Sequence, residues 1–187
     1  MKLNIYKISH PIIELISNNT IINHNNNNLE PYYYKNFGLL FMYEILRPYI
    51  KIETIYLKFI YLTKELKLLN KKQKYLIATN ISNNYEIISE IKTLLPNIDI
   101  LNISYNNNDN EEKINETSKN TKIFILEKKL NNIKIMNIIQ YFTSTREIPI
   151  ENIAIACVTS EHHILKQLGN ICPSIKIYTT KILYNQL

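Results

Sequence analysis

The sequence predicts an α/β fold in which helices cover both faces of a largely parallel β-sheet. In the second half of the chain, short apolar runs of five or six residues alternate with helical patterns. The connections between them are short, as in βαβ units, whose crossover helices bury both faces of the sheet. The length of 187 residues suits one α/β domain with a sizeable core. We therefore expect a single domain over residues 1–187, with N-terminal helices within residues 1–70 and a βαβ core over residues 71–187.

The first 70 residues carry the weaker pattern. Met1–Ile8 alternates apolar and polar residues like a structured segment and lacks the form of a signal peptide. His10–Ser17 places isoleucines at helical spacing near a proline, which favours a helix start. A polar stretch, Asn23–Asn28, separates it from a second predicted helix at Tyr32–Leu46. The pattern of Tyr49–Leu69 fits either a strand leading into a helix or a hairpin.

From residue 75 onward, strands and helices alternate clearly. The predicted strands are Tyr75–Thr79, Ile98–Ile103, Lys122–Leu126, Ile153–Val158 and Ile175–Thr179. The predicted helices are Asn83–Leu95, ended by Pro96, then Asn132–Phe142, and Ser160–Leu168 with Ser160 as its N-cap. The stretch Asn106–Asn120 is too charged and Asn-rich to be buried and is predicted to be a loop. Ligands of such sheets bind outside the carboxyl ends of the strands, so the candidate loops follow Thr79, Ile103, Leu126 and Val158.

Composition restricts the partners that we expect. The net charge is +6, but the lysines are spread along the chain, so a solvated lysine face is a better interpretation than a nucleic-acid surface. The 14 tyrosines could stack on bases, yet packing in the core and at interfaces is the preferred interpretation. No apolar stretch approaches the roughly 20 residues that span a bilayer, so we expect a soluble intracellular protein. Abundant Ile, Asn, Lys and Tyr indicate an AT-rich genome, such as that of an organelle.

Only two glycines occur, Gly38 and Gly169, and neither opens a plausible nucleotide-binding loop. Glycine is the residue that lets a backbone wrap phosphate, because it adopts left-handed and close-approach conformations without steric cost. The polar turn after Tyr75–Thr79 holds capping residues but no Arg or Lys for a pyrophosphate. In the predicted loop Glu127–Ile135, Glu127 could accept from ribose hydroxyls while backbone amides hold a phosphate. With no glycine or hydroxyl residue there, an ordinary turn with a solvated charge cluster is preferred.

Histidine and cysteine residues offer two weaker alternatives. His162 and His163 are adjacent, so their side chains diverge on a helix, and no metal-binding spacing joins them to Cys157 and Cys172 for a zinc site. Ser160 near His162 could suggest a nucleophile with its base, but no G-x-S-x-G elbow surrounds it. Two cysteines make no disulfide framework, and Cys157 is predicted to be a buried core residue. We assign no catalytic residue and no metal site.

The order of short motifs resembles that of the uracil phosphoribosyltransferases. The segment ISHPIIELI is similar to the family's H-P-L-V start, and Met42-Tyr43-Glu44 resembles the Tyr-Glu after its second helix. The family's strand, Arg-Ala-Gly turn, helix and proline are matched by LIAT, Ser82–Asn84, a helix and Pro96. The remaining matches are a loop from Tyr105 to Glu112, the segment Glu127–Ile135, and the strand motif Pro173–Thr179.

This resemblance implies a Rossmann-like type I phosphoribosyltransferase fold with a hood-like region within residues 1–70, and a homodimer. It also implies the reaction of pyrimidine salvage that joins uracil to phosphoribosyl pyrophosphate, giving UMP and pyrophosphate, with Mg²⁺ if phosphoribosyl pyrophosphate is still bound. The substrate-binding positions that it implies are the phosphoribosyl pyrophosphate loop and two matches to arginines: Glu127, Lys128, Lys129, Asn131, Asn132 and Lys134, with Ser82 and Asn106.

The departures from the family pattern are specific. Ser82 and Asn106 stand where the family has arginines, and Asn132–Ile135 replaces the Thr-Gly-Gly-Ser that wraps the 5′-phosphate. The family's Gly-Asp-Ala-Gly uracil site has no counterpart before Leu187. Each lost phosphate contact removes ~1.5–3 kcal/mol, so three or four losses lower affinity by several orders of magnitude.

We therefore expect a pseudoenzyme, a homologue with lost or strongly reduced catalysis. The alternatives are a non-catalytic binding or regulatory subunit of the same fold and, less favoured, a basic RNA-associated protein. The AT-rich composition predicts the plastid stroma, or the cytoplasm of an AT-rich organism.

Overall fold

The computed structural model describes residues 3–22, 30–103 and 118–184. Its strands are β1 (Asn4–Lys7), β2 (Ile52–Lys58), β3 (Thr63–Leu69), β4 (Tyr75–Thr79), β5 (Asp99–Asn102), β6 (Lys122–Leu130), β7 (Ile153–Glu161) and β8 (Lys176–Leu183). Six of them form one sheet in the order β1-β8-β7-β6-β4-β5, and every neighbouring pair is parallel. β2 and β3 form a separate antiparallel hairpin.

Helices lie on both faces of the six-stranded sheet. They are α1 (Pro11–Ile22), α2 (Glu30–Leu46), α3 (Ile81–Ile88), α4 (Ile91–Leu94), α5 (Ile135–Gln140) and α6 (His162–Ile171). Alternate residues of β6 belong to two separate buried clusters: Phe124 packs with Phe37 and Ile87 of α2 and α3, whereas Ile125 packs with Leu168 of α6. Since successive side chains of a strand point to opposite faces, each face of the sheet has its own core. The predicted α/β class with a mostly parallel sheet is thus confirmed.

The N-terminal part resolves the alternatives that the sequence left open. Tyr49–Leu69 contains the hairpin, with Ile52 opposite Leu69 and Lys58 opposite Thr63. β1 lies at the edge of the main sheet beside β8. The stretch Asn23–Asn28 lies outside the described residues, as do residues 104–117 of the predicted polar loop.

Two predicted helices differ from the structure in more than the position of their ends. The helix predicted at Asn83–Leu95 is two helices, α3 and α4, and α3 begins earlier because the Asn80 side chain caps it by accepting from the Asn83 amide at 3.1 Å. The helix predicted at Asn132–Phe142 begins at Ile135 and continues into a π-helical turn at Tyr141–Thr145.

Strands β6, β7 and β8 run further than predicted, to Leu130, Glu161 and Leu183. The prediction of Ser160 as a helix N-cap is wrong: it is buried in β7, where its hydroxyl donates to the Lys181 carbonyl at 3.4 Å. The sequence turns polar after Leu126 and after Val158, so its local pattern indicates strand ends there. Pairing with the neighbouring strands overrides this local preference and extends β6 and β7. No helix in the described ranges is long and apolar enough to cross a membrane.

Candidate functional site

A polar cavity of about 260 Å³ lies at the carboxyl ends of β4 and β6. The chain order reverses between these two strands, since β5 flanks β4 on one side and β6 flanks it on the other. Such a switch point is where open α/β sheets bind ligands. The cavity is lined by Asn83, Asn84, Glu127, Lys128, Lys129, Leu130, Asn131, Asn132 and Ile135. Sequence reasoning pointed to this edge of the sheet, and five of the predicted residues line this one cavity.

The backbone here corrects the prediction of a long loop over Glu127–Ile135. Glu127–Leu130 continue β6 as a strand that pairs with β7, with Lys129 opposite Thr159 and Leu130 opposite Ser160. A short turn, residues 131–134, remains before α5. Among the described residues, Glu147 is the one non-glycine residue with a positive φ, so this turn lacks the alternating right- and left-handed residues of an anion-binding nest.

Asn84, on α3, is the central polar side chain of the site and is completely buried. Its amide nitrogen donates to the hydroxyl of Thr79 at 2.9 Å and to the carbonyl of Asn80 at 3.2 Å. The same nitrogen lies 3.4 Å from Oε2 of Glu127. Its oxygen accepts from the backbone amide of Lys128 at 3.1 Å. One side chain therefore ties α3 to the ends of both β4 and β6.

The Asn84 side chain acts as a substitute for a further residue of β4. β4 pairs with β6 as far as Thr79 opposite Leu126, which leaves the next carbonyl and amide on that side of β6 without a strand partner. Asn84 lies 3.5 Å from the Leu126 carbonyl and accepts from the Lys128 amide, as a peptide group of a longer β4 would. The Thr79 hydroxyl also donates to the Leu126 carbonyl, at 2.7 Å. The backbone amide of Lys128 therefore already donates its hydrogen bond to a side chain of the protein.

Glu127 is nearly buried, with 9% of its surface exposed. It lies opposite Cys157 in the sheet register. Burial, with a smaller contribution from the nearby Glu127 carboxyl, raises the pKa of the Cys157 thiol to about 12, although a hydrogen bond with Thr179 opposes the rise. Cys157 is completely buried, which confirms the predicted core role and leaves no accessible thiolate for nucleophilic chemistry.

The two lysines of the site are engaged by carboxylates. The Lys128 ammonium donates to Glu86 of α3 at 2.9 Å and lies 4.3 Å from the ring centre of Tyr34. Burial opposes ionisation of Glu86, but hydrogen bonds from Lys128 and from its own backbone amide, with the Lys128 charge, leave the pKa of Glu86 below its usual value. The Lys129 ammonium lies 2.8 Å from a carboxylate oxygen of Glu161.

The other predicted positions lie at the rim or elsewhere. Asn131, Asn132 and Lys134 are exposed in the turn, where the Asn132 side chain accepts from the Lys134 amide at 2.9 Å. Ser82 is exposed on the first turn of α3 and does not line the cavity. Asn106 lies outside the described residues.

Histidines and metal chemistry receive no support from this geometry. The His162 ring packs on Tyr184 at 4.9 Å, and Nδ1 of His163 lies 3.4 Å from Glu161. In the described ranges, no three His, Cys, Asp or Glu side chains converge in a way that could hold a metal ion. The cavity lining contains one carboxyl and two lysines, whereas Mg²⁺ prefers several carboxylate or phosphate oxygens, so these residues do not fit that ion well.

Sequence reasoning missed Asn84, Glu86 and Thr79. A signal for Asn84 exists: it lies three, four and seven residues before Ile87, Ile88 and Ile91, on the same helix face. A polar residue in an apolar helical stripe is buried, and buried polar groups require partners.

Comparison with known proteins finds the same family that the sequence motifs resemble. No protein-family model matches the chain. Two curated red-algal proteins, each named uracil phosphoribosyltransferase homolog, from Pyropia yezoensis and Porphyra purpurea, are 29% identical over 184 residues. The match covers 97% of this chain and 89% of each relative. The chain is thus similar to the uracil phosphoribosyltransferase homologues over nearly its whole length.

A solved structure supports the fold independently of these sequence matches. The structure of the AQ2163 protein from Aquifex aeolicus superposes with a TM-score of 0.70 at 16% identity, covering 98% of this chain and 89% of that one. At this identity the likeness shows the fold alone.

Proposed function

We propose that this uracil phosphoribosyltransferase homologue has lost or strongly reduced phosphoribosyl transfer and acts as a non-catalytic member of the fold. One observation carries the proposal: β6 continues through Leu130, and the Lys128 amide is bound by Asn84. Backbone amides that would face a phosphate are thereby used in the sheet and by a side chain. This supports a fold maintained without the phosphate cradle that the family's reaction requires.

The charges of the cavity also support a loss of phosphate binding. Lys128 is paired with Glu86 and Lys129 with Glu161, so an incoming phosphate must compete with carboxylates already in place. The positions that resemble the family's arginines are Ser82 and Asn106. Charge-assisted hydrogen bonds are worth about 1.5–3 kcal/mol each, and the loss of three or four lowers affinity by a factor of a thousand or more.

Calorimetry with phosphoribosyl pyrophosphate and Mg²⁺, together with an assay for UMP formation from uracil, tests the proposal. We expect no saturable heat at millimolar ligand and no UMP above the uncatalysed background. An active uracil phosphoribosyltransferase in the same buffer serves as the positive control. Measurable turnover would show that the enzyme function is retained, and saturable heat with a dissociation constant in the micromolar range would show that the phosphate site is intact.

We further propose that the protein is a homodimer, supported by the hairpin of β2 and β3. The tip of this hairpin exposes Phe59, Ile60, Tyr61 and Leu62, with Ile60 and Tyr61 more than 90% exposed. Soluble monomers rarely present such contiguous apolar groups, which mark interaction surfaces. Analytical ultracentrifugation should give twice the chain mass of 22.1 kDa, and Ile60→Ser with Tyr61→Ser should shift it to the monomer. A monomeric wild-type protein would exclude the dimer.

The plastid stroma is the proposed location. The AT-rich codon usage implied by the composition and the red-algal origin of both similar proteins support it. Immunoblotting of purified plastids against a cytosolic fraction tests this location, and signal confined to the cytosolic fraction would favour the cytoplasm of an AT-rich organism.

A further inference from the structure

A second polar cavity, of about 270 Å³, lies at the amino-terminal edge of the sheet. It is lined by Lys51, Asn70, Lys72, Gln73, Asn120, Lys122 and Asn152. Lys51 and Asn70 form the base of the hairpin, where the Asn70 amide donates to the Lys51 carbonyl at 2.9 Å, and Lys122 begins β6. From Lys122 to Leu130 the strand rises about 26 Å, so this cavity is separate from the one at the carboxyl ends.

The lining is cationic and amide-bearing, with no carboxylate among its residues. Side-chain amides join the walls: Gln73 donates to the Asn120 carbonyl at 2.6 Å, and Asn152 donates to the Lys119 carbonyl at 2.8 Å. The Lys72 backbone amide donates to the Asn70 side chain at 2.7 Å. These bonds give the cavity a defined shape before any ligand enters.

The positive charge is only partly compensated. The Lys122 ammonium donates to the Asn152 side chain, and in the described ranges neither Lys51 nor Lys72 forms an ion pair. Burial and then the charges of Lys176 and Lys51 lower the pKa of Lys122, against the nearby Glu151 carboxyl. An anion between these lysines would relieve their mutual repulsion.

We propose that this cavity binds the phosphate group of a small molecule. Three lysines supply the charge and the hydrogen-bond donors, and side-chain amides form the rest of the lining. The volume exceeds that of inorganic phosphate and is near the lower end for small-ligand sites, about 300–1,000 Å³. A concave site suits a small phosphorylated molecule better than an RNA strand, which needs a basic surface that follows its backbone.

Amide chemical shifts measured during a titration with inorganic phosphate, with sodium chloride of equal ionic strength as reference, test the proposal. We expect saturable shifts at residues 70–73, 120–122 and 152, and little change at residues 127–132. Lys72→Gln and Lys122→Gln should each weaken binding at least fivefold. Lys92→Gln, which removes an exposed lysine of α4 outside the cavity, should leave it unchanged.

Lys72→Gln keeps the test interpretable if Lys122→Gln perturbs the fold, because the Lys72 side chain is exposed and its structural bond is made by its backbone. Shifts that rise linearly without saturation, or that are equally weakened by Lys92→Gln, would overturn the proposal. A single-stranded RNA that shifts lysine-bearing surfaces throughout the protein, while phosphate does not saturate, would instead show a diffuse nucleic-acid surface.

Discussion

Gly38→Ala is expected to lower the free energy of unfolding by roughly 3 kcal/mol or more, the upper range for overpacking a well-filled core. Gly38 lies on α2 where that helix meets α3, and a Cβ built there would lie 2.0 Å from the Ile87 carbonyl oxygen and 2.7 Å from its carbonyl carbon. Both neighbours are backbone atoms, so no side chain can rotate away. The helices must move apart, and this movement separates Phe37, Phe41 and Met42 from the core they share with Ile87.

Gly169→Ala is the matched control, because Gly169 also lies inside a helix and has no positive φ. Its added Cβ would lie 3.5 Å from the Leu3 Cβ, an ordinary contact. Alanine favours a helix over glycine by about 0.5–1 kcal/mol, so this variant should be as stable as the wild type or slightly more stable. Urea denaturation of both variants measures the difference. Equal stability of Gly38→Ala and wild type would show that α2 and α3 are further apart than described.

Both glycines lie inside helices and do not have the phosphate-binding role for which glycine was considered in the sequence. Neither serves phosphate binding; one is required for the close approach of two helices, and the other fits a helix without any contact that excludes a side chain. The sequence could show that nucleotide loops lack glycine, but the requirement at Gly38 comes from a residue 49 positions away in the chain. A contact of this kind has no local signature.

The sheet could be predicted from the sequence because its strands are nearly continuous apolar runs. Tyr75–Thr79 is predicted with the bounds that the structure has, since all five residues are buried. Buried parallel strands read in this way because both faces are covered. The same reasoning placed the candidate site at the carboxyl ends of β4 and β6.

The shape of that site could not be predicted by the same reasoning. Glu127, Lys128 and Lys129 follow an apolar strand and look like the start of a loop, yet they extend β6. The extension depends on long-range pairing with β7 and on Asn84, 44 residues before Lys128. Polar residues can occupy a strand where its edge faces a cavity, and no local pattern distinguishes this from a turn.

Asn84→Asp should lower the free energy of unfolding by roughly 3 kcal/mol at pH 7, because it buries a second carboxyl group beside Glu127. The amide nitrogen that it replaces lies 3.4 Å from Oε2 of Glu127 and donates to Thr79 and Asn80. A carboxylate could still accept from the Lys128 amide but could not donate to the other three groups.

The loss should depend on pH in a defined direction. Burial and the neighbouring carboxyl raise the pKa of the introduced acid above its unfolded value. Its neutral form can donate a hydrogen bond again, so the destabilisation is largest above the raised pKa and decreases as pH falls through it. Measured by urea denaturation, the difference from wild type should therefore shrink between pH 7 and pH 5.

Two further variants separate this effect from simple loss of packing. Asn84→Ala leaves the Lys128 amide without its partner, at a cost of about 1–3 kcal/mol that should not vary with pH over this range. Asn83→Asp places the same charge one residue earlier, on the exposed first turn of α3, where a negative charge suits the positive end of the helix. It should be neutral or stabilising by a few tenths of a kcal/mol. If Asn84→Asp were as stable as Asn83→Asp at pH 7, the Asn84 side chain could not be what holds the ends of β4 and β6 together. The proposed loss of phosphate binding would then need an explanation other than the bond between Asn84 and the Lys128 amide.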